Sequence, residues 1–525
     1  MKEILINIMN SYKMFFGMGI YQTLFIISIV YLVVKEKKKD IKQFFLGLLV
    51  IFAIIYICPV SAYVIMYYCI GVNVYWRMLW ILPVTVMIAY MITKEIASIE
   101  IKWKRVLSIL GVVLAFVLGG SSIYSINFSE RTNGYKLYAE VIEICDAIET
   151  DAKEKSIQDK GLIAVNELVS QIRQYDASIR MPYGRNALKG EKLGKLPRKI
   201  YYSIYGDKLN AEALAFYAKQ GEYQYLAYYA QEDIISVFEN AGYEWLKQVG
   251  GYYIFRLKSE QISDIFITQY GWNDGNQIMF YTIETMKGKL IVIDGGYEVD
   301  EEYVRRIIYQ KGNRVDAWIL THFHPDHIGA FCKIYENPQN INIKKIYTVD
   351  MAPLELCVEN APWDETYTYE RFMELDVKVT KYLRAGKRVK IAGVPMRIFN
   401  AYDDYVDELS NDLHNDGSIM FMVYGETERM LFCSDVGKSM SDYLLEKYGK
   451  KLKADYLQMG HHGNGGLKAD FYQMVNPKMA FFDAPAWLFD NTDGTYTSAE
   501  NRRIMEELGA EIMSFEGAPH SVQLQ

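Results

Sequence analysis

Histidine is scarce in this 525-residue chain. Its seven copies all lie after residue 321, so the C-terminal part is chemically distinct. Cysteine is scarce too. Six copies at no regular spacing exclude a disulfide-built secreted scaffold and a cysteine-type zinc module. Only 12 prolines, beside a hydrophobic share of 51%, exclude a largely disordered chain. Basic charge is not in excess: 57 Lys and Arg stand against 64 Asp and Glu, a net −7. That argues against a broad basic surface coating duplex DNA, while a local nucleic-acid site stays open.

What is present begins with long uncharged runs. Met14 to Val34 carries no charge over 21 residues. A bilayer core of ~30 Å needs about 20 helical residues. Phe44 to Trp76 is again uncharged, Met78 to Thr93 follows the single Arg77, and Val106 to Ile126 gives another 21-residue run. The pattern predicts about four transmembrane helices in residues 1–126, with a turn between Pro59 and Arg77, and hence a lipid bilayer as partner. Five lysines fall between Lys35 and Lys42, and Lys94, Lys102, Lys104 and Arg105 form a second basic loop. The positive-inside rule places both loops in the cytoplasm and everything after about Asn127 outside it. This predicts a multi-pass protein of the cell membrane with its remaining domains extracytoplasmic. No small-residue cleavage site follows the first run, so a cleavable signal peptide fits poorly.

Residues 127–262 read as an α/β domain without a catalytic signature. Tyr138 to Lys155, Asn210 to Lys219 and Ile234 to Gly242 have helical character, and Gly161 to Val165 and Tyr252 to Phe255 are strand-like. Tyrosines are dense here and fit half-buried surfaces or glycan stacking. From Ser263 the pattern turns to strand and turn. Gln277 to Thr282 and Leu290 to Ile293 are β-rich, the second ending in Asp294-Gly295-Gly296. A helix over Glu301 to Gln310 and a strand over Ala317 to Leu320 lead into Thr321-His322-Phe323-His324-Pro325-Asp326-His327.

The spacing H-x-H-x-D-H packs four metal-capable side chains into six residues. On a loop leaving a strand, His322 and His324 can converge on one ion while Asp326 and His327 face another. Neutral imidazole and carboxylate suit zinc. Further on, Asn415-Asp416-Gly417-Ser418 opens an apolar strand, Met430 to Asp435 ends one in Ser-Asp, and Leu457 to Gly463 ends another in Gly-His-His-Gly.

These motifs resemble the metallo-β-lactamase fold, and their order is similar to the hydrolase domain of ComEC-type competence proteins and to extracellular phosphorylcholine esterases acting on teichoic acids. The resemblance covers residues 263–525. It implies an αββα sandwich and a hydrolase with two divalent ions, zinc with manganese as the alternative, in which a hydroxide bridging the ions attacks a phosphodiester. It implies His322 and His324 as ligands of the first ion, Asp326 and His327 of the second, Asp435 as the bridging carboxylate and His462 as the last histidine of the second ion. His461 is the adjacent alternative; with His462 on the metal, it is free to contact a phosphate or protonate a leaving oxygen. The catalytic candidates are therefore Asp326 and His461. His414 is the candidate third ligand of the first ion, the alternative being a loop histidine with Asn415 or water completing that ion. Asp294 matches the acidic residue that orients a ligand from behind, and Asn415 and Ser418 offer polar contacts. The substrate class is an anionic phosphodiester polymer, either DNA or a cell-envelope polymer. A DNA channel fits poorly, because four spans are far fewer than those competence proteins carry. A non-catalytic envelope assembly protein and an amide or lactam hydrolase are the competing readings. Metal content and turnover of a phosphodiester against a lactam separate them.

Overall fold

The computed structural model describes residues 2–17, 19–119, 133–184, 187, 193–491, 494–517 and 519–525. The chain forms two compact units, Met1–Glu130 and Arg131–Gln525.

The first unit is helical. Two of its helices are long and apolar enough to cross a membrane, Lys39–Ile57 and Val72–Ala97. The first expected span is instead two helices, ending at Phe16 and starting at Ile20, that meet at a bend of 99°; counted as one span, they raise the number to three among the described residues. Gly17, at φ +61°, sits at the break, where glycine removes the cost of leaving the helix. The turn expected between Pro59 and Arg77 falls at Gly71, φ +93°. The fourth expected span corresponds to the helix Lys102–Gly119. Lys102, Lys104 and Arg105 put three basic residues in its first turn, and the rest of that span, from residue 120, lies outside the described residues. Phe44, Val50, Ile51 and Ile54 of Lys39–Ile57 are exposed, an apolar surface suited to lipid.

The second unit is α/β, with one two-stranded, one four-stranded and two seven-stranded sheets among the described residues. The small sheet runs Leu162–Ala164, Tyr225–Tyr229, Tyr252–Leu257, Tyr243–Val249 in spatial order. Its core closes with the helices Ala139–Glu154, Asn166–Tyr175, Lys195–Tyr205 and Ala211–Gln220. The two large sheets stack face to face. The first is ordered Lys381–Leu383, Ile346–Val349, Ala317–Ile319, Leu290–Asp294, Phe280–Thr285, Ile265–Gln269, His520–Leu524. The second is ordered Arg388–Ile391, Val394–Asn400, Met420–Tyr424, Arg429–Phe432, Tyr456–Gln458, Met479–Phe481, Glu511–Met513. Side chains alternate faces along a strand. Tyr281 accordingly points between the sheets, its ring 5.2 Å from Phe432. Phe280 points outward, against Tyr270 and Tyr303. Phe266 on the neighbouring strand stacks on Phe216 at 5.3 Å, so the helices of the small sheet cover this outer face.

Within each large sheet, neighbouring central strands run parallel: Leu290–Asp294 with Ala317–Ile319, and Arg429–Phe432 with Tyr456–Gln458. Ligands of such sheets bind beyond the carboxyl ends of the strands. Asp294, the Thr321–His327 loop, Asp435 and the His461-His462 pair all follow those ends.

Candidate metal centre

Asp294 closes its strand with φ +49° and is fully buried. Its carboxylate gathers the next strand's loop. Oδ1 accepts from the Thr321 amide at 2.8 Å, and Oδ2 accepts from the Thr321 hydroxyl at 2.6 Å. His327 Nδ1 lies 2.7 Å from the same Oδ2. An ionised carboxylate only accepts, so His327 carries a proton on Nδ1 and turns Nε2 inward. Pro325 starts the helix Pro325–Glu336 at its first turn, where its missing N–H costs nothing. Asp326 and His327 thus stand on that first turn, with His324 as the capping residue. Gln277 donates to Asp326 Oδ2 at 2.8 Å.

From the second sheet come Asp435 and the histidine pair. Ser418 Oγ accepts from the Asp435 amide at 3.2 Å, which fixes the turn after Phe432. His461 and His462 both have left-handed backbones, φ +51° and +57°. For L-residues this costs about 1–2 kcal/mol each and persists only where the surroundings impose it. The His461 amide bonds Ser434 O at 2.8 Å, and Asn501 holds Gly463 O at 2.9 Å. A side chain at Gly463 would strike the Phe482 ring, 2.1 Å from its Cβ. The strained turn drives His462 inward, 1% exposed, and leaves His461 at the mouth, 36% exposed.

Three groups of metal-capable atoms result: His322 with His324 and Asp435; Asp326 with His327 and His462; and His324 with Asp364 and His414. In the first two the nitrogens and oxygens face one another closely. His322 Nε2 is 3.0 Å from His324 Nδ1, His327 Nε2 is 3.3 Å from His462 Nε2, and His462 Nε2 is 3.1 Å from Asp326 Oδ2. Ligands at ~2.0–2.1 Å around a tetrahedral ion stand about 3.3–3.4 Å apart, so this spacing fits a divalent ion. Asp435 lies between the groups, Oδ1 3.2 Å from His327 Nε2 and Oδ2 3.9 Å from His322 Nε2. Asp435 Oδ1 and His462 Nδ1 are buried without a hydrogen-bond partner. Burial, then the neighbouring His327 and His324, pushes His322 well below the ordinary imidazole range, so its ring is neutral and ligand-competent. Burial opposes charge on His462 as well, yet Asp435 and Asp326 raise it to about 10. The two carboxylates thus demand positive charge, which protons or cations supply.

The third group places His414 beside Asp364 and His324, with one metal-capable atom of each within 4.8 Å of the others. His414 Nδ1 lies 3.1 Å from Asp364 Oδ2, and its Nε2 accepts from the Phe323 amide at 3.2 Å. His324 Nε2 is 2.7 Å from Asp364 Oδ2, leaving Nδ1 to face His322. Asn415 is not brought into the centre, because its amide turns to Asp412 Oδ2 at 2.8 Å in the helical turn Leu413–Asp416. Sequence reasoning missed Asp364 and Gln277. Asp364 follows Trp363 in a loop with no motif around it, and nothing in its spacing marks it. His520, on the edge strand, bonds Glu516 O at 2.9 Å and is no part of the groups.

These sheets and this cluster define the class: a metallo-β-lactamase fold carrying His/Asp groups able to hold divalent metal. A family model, Metallo-beta-lactamase superfamily, matches residues 273–344. No curated protein sequence matches the chain. Among solved structures, the metallo-β-lactamase fold protein YhfI from Bacillus subtilis is 12% identical, covering 49% of this chain and 99% of its own at TM-score 0.32. A diphosphatase of the PhnP family is 14% identical, covering 50% and 98% at 0.31. Zinc-bound PqqB from Methylobacterium extorquens is 9% identical, covering 50% and 100% at 0.32.

Proposed function

We propose that the chain is a membrane-anchored, metal-dependent hydrolase of phosphodiester bonds. The observation that carries this reading is the convergence of two buried His/Asp groups on either side of Asp435. His322, His324 and Asp435 would hold one divalent ion and Asp326, His327 and His462 the other, zinc by donor chemistry with manganese the alternative. Bound there, the pair would supply Lewis acidity toward anionic oxygens and an activated water at neutral pH. The protein's own part is to fix the donor nitrogens. Asp294 and Asp364 accept hydrogen bonds from His327 Nδ1 and His324 Nε2, and so present the opposite nitrogen of each ring. His461 Nε2, 3.8 Å from Asp435 Oδ2 at the open side, stands where it can pass a proton to a leaving oxygen. Preference for phosphodiesters rests on the N-D-x-S and G-H-H-G motifs shared with the ComEC-type and teichoic-acid-acting branches. The substrate is thus DNA or an envelope polymer. The strain at His461 and His462 favours catalysis over a scaffold role, because a scaffold gains nothing from it.

Zinc-loaded full-length protein should cleave bis-p-nitrophenyl phosphate and not a chromogenic lactam. His324→Ala or Asp435→Asn should abolish that turnover together with about one bound ion. Full activity in either variant removes the assignment, and lactam turnover alone removes the substrate class. The basic loop Lys94 to Arg105 precedes the last apolar run, so we place residues after 126 outside the cytoplasm. A cysteine introduced at exposed Glu232 should react with an impermeant maleimide in intact cells; protection would put the domain inside.

A further inference from the structure

A second buried charge cluster lies where the helices of the small sheet cover the first large sheet. Glu284 is fully buried on the strand Phe280–Thr285. Its register is informative: Phe280 pairs with Asp294, whereas Glu284 pairs with Leu290. Four residues at ~3.3 Å each put Glu284 about 13 Å along the strand from the metal-centre edge. Two ammonium groups meet this one carboxylate. Lys199 Nζ, from the covering helix Lys195–Tyr205, is 2.5 Å from Oε1, and Lys311 Nζ contacts Oε2. Tyr217 also donates its hydroxyl to Oε2.

The cluster is one positive charge in surplus. Tyr217 supplies no compensating anion, since burial first and Glu284 second hold its phenol well above the usual range. Lys311 keeps its charge against burial because Glu284 lies beside it. The two lysine side chains are only 6% and 9% exposed. An unpaired ion so withdrawn from water is strongly disfavoured unless something completes its shell. Each ammonium has three N–H donors. Lys199 directs one to Glu284, and Lys311 directs two, to Glu284 and the Tyr217 oxygen at 3.2 Å.

The ammonium groups also lie over aromatic rings, Lys199 Nζ 5.3 Å from the centre of the Tyr217 ring and Lys311 Nζ 5.9 Å from that of Tyr270. Lys199, Lys311 and Tyr217 line a cavity of about 90 Å³, with Lys208 also on its wall. A single water needs only ~10–15 Å³ measured this way, so the space admits a tetrahedral oxyanion. Asp207 is the carboxylate among the described lining residues, and Arg306 engages it at 3.1 Å.

We propose that this cavity is a binding site for a phosphate-class oxyanion, held by Lys199 and Lys311 at its floor and Lys208 at its wall, and separate from the metal centre. The anion neutralises the surplus charge and takes up the spare N–H groups. It is either free phosphate or the phosphate end of a larger molecule. Occupation clamps the small-sheet helices to the hydrolase sheet, because Lys199 belongs to one and Glu284 and Lys311 to the other.

The test uses full-length protein in detergent, stripped with chelator so that the metal centre does not compete for phosphate. Inorganic phosphate and glycerol phosphate are titrated separately by calorimetry, with melting followed in parallel. Saturable binding of about one anion per chain and a rising melting midpoint are expected. Equal or tighter binding of glycerol phosphate identifies a phosphomonoester group, and binding of inorganic phosphate alone identifies the free ion. Lys199→Met leaves a one-to-one Lys311–Glu284 pair and should weaken binding at least tenfold without lowering the midpoint in phosphate-free buffer. Lys208→Ala, an exposed position, should weaken binding severalfold and leave folding unchanged, so it reports even where the first variant fails to fold. Absence of binding of either anion up to about 10 mM, or wild-type binding by Lys208→Ala, overturns the proposal.

Discussion

Asp294→Asn isolates what a single proton does in the metal centre. The substitution keeps shape and volume, so packing is unchanged. Asp294 Oδ1 accepts the Thr321 amide at 2.8 Å, and that bond forces the amide oxygen of Asn into the same place, since the opposite flip sets two donors against each other. The NH₂ then occupies the position of Oδ2, facing the Thr321 hydroxyl and His327 Nδ1, now at 2.6 and 2.7 Å. Thr321 can turn its hydroxyl and accept. His327 can accept only by moving its proton to Nε2, and Nε2 is the nitrogen 3.3 Å from His462 Nε2 and 3.2 Å from Asp435 Oδ1. The ring then presents N–H where a lone pair is needed. Loss of such an orienting carboxylate costs about 10–100-fold in metal affinity, or ~1.4–2.7 kcal/mol. On the proposed two-ion assignment, an ion held by Asp326, His327 and His462 should therefore be lost at moderate zinc, while one held by His322, His324 and Asp435 remains. Zinc titration by calorimetry, with metal content after dialysis, should find the stoichiometry reduced from about two to about one and the melting midpoint of the metal-free protein nearly unchanged. Two zinc ions bound with wild-type affinity would refute the tautomer argument. Loss of both ions with a collapsed midpoint would refute it too, by making Asp294 a folding residue.

Two further outcomes follow from packing and charge. A Cβ at Gly329, on the helix that carries Asp326 and His327, would lie 2.5 Å from the Glu298 amide nitrogen and 2.9 Å from Tyr297 Cα. Backbone cannot yield as a side chain can, so Gly329→Ala should cost about 1–3 kcal/mol in thermal melting, and an unchanged midpoint would contradict the contact. Glu284 is held down to about 2, against burial, by Lys199 and Lys311. An unfolded chain titrates glutamate near 4.3, so this depressed group adds about 3 kcal/mol of stability above that pH, and the contribution is lost as pH falls toward about 2. Glu284→Gln should be destabilised at neutral pH and show a flatter fall in melting midpoint between about pH 5 and 2.5; parallel acid slopes would refute the linkage.

The parts of the centre legible in the sequence are those written at strand ends. His322, His324, Asp326 and His327 share one loop, and Asp435 and His462 follow apolar runs, so local pattern and chain order locate them. The regular elements that read well, such as Glu301–Gln310 and Ala211–Gln220, have clear periodicity and flanking turns. What escaped is what only three dimensions supply. Asp364 reaches His324 across 40 residues from an unpatterned loop. His414 has the order of a ligand, and only the fold shows that its ring nitrogens meet Asp364 and the Phe323 amide. Asn415 sits in a motif yet turns to Asp412, because a helical turn occupies residues where a strand opening was expected. The helix Lys195–Tyr205 was hidden by its basic start and its proline, though its buried face carries Lys199. In the membrane-like region, uncharged length alone could not reveal a bend at Gly17.

The strand His520–Leu524 pairs antiparallel with Ile265–Gln269, from positions about 250 residues apart. Every strand of the second large sheet is made between the two. While the polypeptide emerges from the ribosome, Ile265–Gln269 must wait with one flank open, presenting unpaired amides and carbonyls to any passing strand. Such long-range pairing folds slowly. Maturation of this protein is thus exposed to misassembly until His520–Leu524 arrives, and a nascent chain stalled before residue 520 should be a preferred client of chaperones.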